Sequence, residues 1–297
     1  MPYAQGQGAS LYYEETGRGV PIVFVHEYAT DCRSWEAQIR FFSRSYRCVA
    51  FNARGYPPSQ VPADADLYGQ DFARDDIAAV MDALGLDRAY VVGVSMGAAA
   101  TLHFGMQYPQ RALGLVVTGA GSGAHAQDLA RFREEARVGA QLLREQGMAG
   151  MLEGLTLGAT RVQLLNKDPR GWQEYRDQLA SHDPQGAALT LENYQGKRAS
   201  LFDYEERLRA MQVPTLLVVG DEDDPVLETN LFLKRTIPRC GLWVVPRTGH
   251  GVNLEEPGAF NAAVLDFFGA VERDRWPARD ARAHKGAALL LPSGRSA

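Results

Sequence analysis

Short apolar runs alternate with stretches of helical period over the first part of the chain. Residues 10–15 alternate in polarity as a half-buried strand does, and Gly17-Arg18-Gly19 turns the chain after them. Residues 21–25 (Pro-Ile-Val-Phe-Val) form a continuous apolar run, the pattern of a strand buried on both faces. Trp35, Ile39 and Phe42 follow at helical spacing, and residues 47–51 form the next strand. Phe72, Ile77, Val80, Met81 and Leu84 mark a helix over 71–84. A strand at 89–92, a helix at 95–108 halted before Pro109, and a strand at 112–118 complete this part. The alternation predicts an α/β fold: a mostly parallel central sheet covered by helices on both faces.

The pattern changes near residue 123. From 123 to 206 no buried strand is evident, and Leu129, Phe132, Ala136 and Leu143, then Trp172, Tyr175 and Leu179, suggest amphipathic helices. Strands resume at 214–219 and 241–245, and Phe260, Val264, Phe267 and Val271 give a closing helix. The expected organisation is a core in two parts, 1–122 and 207–272, a helical insertion at 123–206, and a loosely held tail at 273–297 rich in Arg, Ala, Gly and Pro.

Composition narrows the function. The chain has 297 residues and a formal net charge of -5, which argues against nucleic acid or an anionic membrane as partner. No apolar run approaches the ~20 residues needed to span a bilayer, and residues 1–8 lack the features of a secretory leader. The three cysteines, Cys32, Cys48 and Cys240, form no C-x-x-C pair. Their low, odd number suits a reducing compartment, so the cytoplasm is the expected location. No His/Cys/Asp cluster has metal-ligand spacing, and no cofactor is expected.

Gly93-Val94-Ser95-Met96-Gly97 is a G-x-S-x-G between an apolar strand and a helix rich in alanine. That is the setting of a nucleophile elbow, a sharp turn that lifts the serine oxygen above the sheet. Serine is a weak nucleophile until a base takes its proton. His250, in Thr248-Gly249-His250-Gly251, follows the last strand and is the candidate base. An acid must orient it, and Asp221, Glu222, Asp223 and Asp224 follow the strand at 214–219. All three groups then leave the C-terminal edge of the sheet, where ligands bind in open α/β folds.

These residues make the chain resemble the α/β-hydrolase superfamily, in its serine-nucleophile branch with a helical cap. The resemblance covers about residues 11–272 and rests on His26 after an apolar strand, Arg54-Gly55 with Ser59, the serine elbow, Gly220-x-x-Asp223 and Gly249-His250. It implies Asp223 as the acid, with Asp224 as runner-up. It also implies an oxyanion hole made by the backbone N–H groups of Met96 and Tyr28.

The chain departs from that pattern at Glu27, where glycine is usual after His26, and at Asn52, where aspartate is common. Glu27 has two readings: a structural carboxylate paired with Arg54, or a group at the mouth of the substrate pocket. Trp172 and Tyr194 are the other pocket candidates, and Gly119-Ala120-Gly121-Ser122-Gly123 reads as a flexible entry to the cap. The implied activity is hydrolysis of a small carboxylic ester or lactone through an acyl-enzyme. The alternatives are carbon–carbon bond hydrolysis of a ring-cleavage product, for which Arg161, Arg176 and Arg198 could hold a carboxylate, and a ligand-binding protein of low turnover. The expected partner is the small-molecule substrate, and a homodimer is left open.

Overall fold

A computed structural model describes residues 2–284. Its eight strands are β1 (Tyr3–Gly6), β2 (Ala9–Gly17), β3 (Val20–Val25), β4 (Tyr46–Phe51), β5 (Ala89–Val94), β6 (Ala112–Thr118), β7 (Thr215–Gly220) and β8 (Cys240–Val245). They form one sheet in the order β1-β2-β4-β3-β5-β6-β7-β8. β2 runs antiparallel to β1 and β4, and the remaining pairs are parallel. β1 is an addition to the elements expected from the apolar pattern; its partner β2 is the strand expected at 10–15.

The α-helices are α1 (Glu36–Phe42), α2 (Gln70–Ala83), α3 (Met96–Gln107), α4 (Ala126–Gln146), α5 (Ala149–Leu157), α6 (Val162–Lys167), α7 (Pro169–Ala180), α8 (Pro184–Leu189), α9 (Glu205–Ala210), α10 (Asp224–Thr236), α11 (Val252–Glu255) and α12 (Pro257–Glu272). Side chains alternate across a strand, so each central strand feeds two cores. Val23 and Val25 of β3 join Val91, Leu102, Phe104 and Leu233, under α2, α3 and α10. Ile22 and Phe24 face the other way, against Trp35, Phe42, Phe260 and Phe268, under α1 and α12. Every residue of β5 and β7 is buried, which explains why their sequences read as unbroken apolar runs.

The chain between β6 and β7 is helical, from α4 to α9, and no strand from it joins the sheet among the described residues. It has its own core, in which Ala136, Ala140, Leu143, Leu179 and Leu191 meet. α7 and α8 each begin at an Asp-Pro step. Asp168 and Asp183 accept hydrogen bonds from the amides of Gly171 (2.9 Å) and Gly186 (2.7 Å), and proline fills the first helical position, where its missing N–H costs nothing.

The expectation of a loose tail from 273 is corrected for its first residues; 285–297 lie outside the described residues. The Trp276 ring packs on Phe267 (4.7 Å between centroids), and its indole N–H donates to the Arg239 carbonyl (3.0 Å). Among the described residues no helix is long and apolar enough to cross a membrane.

Candidate active site

Because β3 to β8 run parallel, the loops that follow them emerge along one edge. Ser95 sits there, between β5 and α3, with φ +54° and ψ -110°. That left-handed backbone is costly for a residue with a side chain and is held from several sides. The Ser95 amide donates to the Thr118 carbonyl on β6 (2.8 Å). A Cβ on Gly93 would lie 2.3 Å from the Gly97 carbonyl oxygen, and one on Gly97 would lie 2.2 Å from that of Val25. Both glycines of the motif are therefore required by close backbone approach. The Met96 N–H opens α3, where the first helical amides have no intrahelical acceptor and the helix dipole favours negative charge.

His250 lies in the loop after β8, and its Nδ1 is 2.5 Å from Asp223 Oδ2. Both side chains are buried. Gly220 lets the histidine loop cross the end of β7: a Cβ there would be 2.1 Å from the Thr248 carbonyl oxygen. Asp224 is exposed as the first residue of α10, so the runner-up acid is not the partner. Asp221 accepts from the Thr248 amide (3.2 Å), and Glu222 accepts from Gln163. Several buried groups of similar chemistry are suppressed. Burial pushes His103 down to about 3 and the thiols of Cys32, Cys48 and Cys240 up to about 12.

The loop after β3 is braced at each residue. His26 Nδ1 lies 2.7 Å from the Glu27 carbonyl and its Nε2 accepts from the Ala53 amide (2.9 Å). Ala29 takes φ +59° and donates its N–H to the Tyr56 hydroxyl (3.1 Å). The Tyr28 hydroxyl donates to the Ala187 carbonyl (3.2 Å) on α8. The expected Glu27–Arg54 pair does not form. Arg54 turns toward α2 and grips Asp76 (2.7 and 2.8 Å), while both carboxylate oxygens of Glu27 bind the guanidinium of Arg161.

Ser95, His250, Asp223 and Tyr28 line one cavity of about 620 Å³. Phe132, Met151, Leu155 and Leu191 supply its apolar wall from the helices between β6 and β7. The three pocket candidates are corrected, since none lines this cavity. Glu27 is turned into its ion pair. Trp172 borders a separate hollow with Arg176, and its indole N–H donates to the Thr156 carbonyl (3.0 Å). Tyr194 is buried below, with its hydroxyl on the Met96 carbonyl (3.1 Å). Arg161 and Arg198 do reach the cavity, and Arg176 does not. No group of three or more His, Cys, Asp or Glu side chains is placed to hold a metal among the described residues.

The family model for the alpha/beta hydrolase fold matches residues 20–257. The chain belongs to this family. A relative from Burkholderia cepacia, 2-hydroxy-6-oxo-6-phenylhexa-2,4-dienoate hydrolase, is 27% identical over 274 residues, covering 86% of this chain and 90% of its own. Among solved structures, a thermophilic esterase from Thermogutta terrifontis superposes with a TM-score of 0.81 at 25% identity, over 91% of this chain and 98% of its own. An N-acyl homoserine lactone degrading enzyme superposes with a TM-score of 0.74 at 28% identity, over 90% and 100%.

Within this alpha/beta hydrolase the structure adds residues at the site that the motifs did not indicate. Gly119, in what reads from sequence as a flexible entry, has φ +61°, and a Cβ there would be 3.1 Å from the His250 ring and 3.4 Å from Asp223 Oδ2. Gly121 and Gly123 are equally confined, against Thr229 and Phe132. The segment is a close-packed turn fixed by positive φ. Gly119→Ala is expected to push the imidazole from Asp223 and lower kcat/KM about 10- to 100-fold, since small misplacements of a catalytic group are costly. Steady-state kinetics beside a melting curve checks this; a change in melting temperature with kcat/KM intact would count against it.

Proposed function

We propose that this protein is a serine hydrolase that cleaves a small carboxylic ester or lactone. The observation that carries the proposal is the buried Asp223–His250 pair, 2.5 Å apart, opening on the same cavity as Ser95. Ser95 Oγ attacks the carbonyl carbon while its proton passes to His250 Nε2. The N–H groups of Met96 and Tyr28 hold the oxyanion. The tetrahedral intermediate collapses, the C–O bond breaks, and His250 returns the proton to the leaving alcohol. Water then attacks the acyl-enzyme with His250 again as base and frees the acid and Ser95. Asp223 keeps Nδ1 protonated and offsets the imidazolium charge. The relatives that act on an ester and on a lactone support this class. The free, buried thiols support a cytoplasmic location.

The test is a panel of p-nitrophenyl esters and lactones. An initial burst of nitrophenol followed by steady turnover is expected. Stoichiometric binding without product would instead indicate a binding protein of this fold.

Carbon–carbon bond hydrolysis is the second reading. It is favoured by Arg198, which lines the cavity, lies 5.0 Å from the Phe132 ring centre, and has no ion-pair partner among the described residues. Gln195 lines the same cavity, and its buried Oε1, an acceptor, has no hydrogen-bond donor among the described residues and is free to take one from a substrate hydroxyl. An acidic substrate, such as the dienoate in the name of the Burkholderia relative, would meet a cation there. Arg198→Met is expected to raise KM for carboxylate-bearing substrates about 10-fold or more and to leave neutral esters within about twofold. Equal losses on both classes would remove the anion-binding role.

A further inference from the structure

Glu27 and Arg161 take no step in the chemistry above, yet they stand among the groups that do. Glu27 lies between His26 and Tyr28, and its carboxylate is buried. Arg161 precedes α6 and grips both of its oxygens. The neighbouring residue, Thr160, accepts the His250 amide on its carbonyl (2.8 Å), and a Cβ on Gly249 would be 2.3 Å from that same oxygen. One short segment of the helical stretch thus holds the oxyanion loop by a side chain and the histidine loop by its backbone.

We propose that Glu27 and Arg161 form a positioning pair that docks the helical stretch on the oxyanion and histidine loops and keeps the electrostatic field at His250 balanced. This rests on the assignment of His250 as the base. Burial alone would raise the Glu27 carboxyl, but the charge and hydrogen bonds of Arg161, with smaller contributions from His250 and His26, together outweigh it and hold Glu27 below the usual carboxylate value; Arg161 is raised in turn. Glu27 is within Coulombic reach of His250, and Arg161 of Asp223. An unpaired Arg161 would oppose the imidazolium that forms in turnover. An unpaired Glu27 would hold the proton on His250 and impede its transfer to the leaving group. Paired, the two charges act on the ring in opposite directions.

The other titratable groups around the pair and His250 are Asp223 on Nδ1, His26 beside Glu27, which burial keeps neutral, Tyr175, whose ring centre is 5.8 Å from the Arg161 guanidinium, and Glu255 of α11. Glu255 accepts from the Gly249 amide (2.9 Å) and is itself 3.5 Å from Lys167 Nζ. The variants below leave these side chains unchanged.

The test follows the His250 ring signals by NMR through a pH titration, with the resonance identified by its loss in His250→Gln. Glu27→Gln is expected to lower the titration midpoint by about half a pH unit or more, because a lone cation remains. Arg161→Met is expected to raise it by a similar amount, and Glu27→Gln with Arg161→Met should return it to the wild-type value. The acid limb of kcat/KM should move in the same directions. A purely structural tie would lower activity in all three variants and leave the midpoint fixed. Unmoved midpoints, or midpoints moving in the same direction in both single variants, overturn the proposal. Should Arg161→Met not fold, Glu27→Gln decides alone, since its remaining arginine keeps access to water. The midpoints do not depend on turnover, so this outcome is separate from the fate of the acyl-enzyme reading.

Discussion

Replacing Ser95 by alanine is expected to lower kcat by about 10⁴- to 10⁶-fold, the cost, on the proposed mechanism, of removing the nucleophile. The melting temperature should change little. Alanine keeps the Cβ at a position already held at φ +54°, and the Ser95 amide bond to Thr118 is a backbone contact that the substitution leaves alone. On the same proposal, residual turnover would come from the Met96 and Tyr28 amides and from substrate binding, which the variant retains. Activity within tenfold of wild type would mean that another group attacks the substrate. The buried thiols are poor substitutes, because burial holds them protonated at neutral pH.

The second large effect concerns Asp223. Asp223→Asn keeps the side chain's size but exchanges a charged acceptor for a neutral amide, against a histidine nitrogen 2.5 Å away. The amide can offer its N–H to Nδ1, which then becomes an acceptor, and the ring proton moves to Nε2. That nitrogen can no longer accept the Ser95 proton. A loss in kcat of about 10⁴-fold is expected near neutral pH, with KM little changed. Asp224→Asn is the control and should stay within about twofold, since Asp224 is exposed at the start of α10. A large loss in the control with a small one in Asp223→Asn would reverse the assignment.

Much of this was legible in the residues because local chemistry dictates it. β3, β5 and β7 are buried on both faces, and only apolar side chains fit there. The elbow was legible because two close backbone approaches allow nothing but glycine at 93 and 97. Asp223 was chosen over three neighbouring acids by the spacing that the family resemblance implies, and burial and the contact with His250 set it apart in the structure. The Asp-Pro steps at 168–169 and 183–184 are a signal for two helix starts that the apolar spacing alone did not use.

What stayed hidden depends on long-range docking. Glu27 and Arg161 are 134 positions apart, and no local pattern tells a carboxylate after β3 which arginine the helical stretch will bring to it. The same is true of the pocket. An aromatic side chain at helical spacing shows that a face is apolar, not whether that face meets Ser95 or a neighbouring helix. Trp172 and Tyr194 pack on neighbouring elements, while the cavity wall falls to Phe132, Met151, Leu155 and Leu191. The first strand was missed because Tyr3-Ala4-Gln5-Gly6 is too short and polar to announce itself; its pairing to β2 supplies what the side chains do not.

The central claim is that Ser95 is the nucleophile, activated by its surroundings. It is tested most directly by treating the folded protein with a fluorophosphonate and mapping the adduct by peptide mass spectrometry. The account predicts one adduct per chain, on Ser95, with its formation strongly slowed in His250→Gln. An adduct on another residue, or none under conditions where the protein hydrolyses esters, would contradict it.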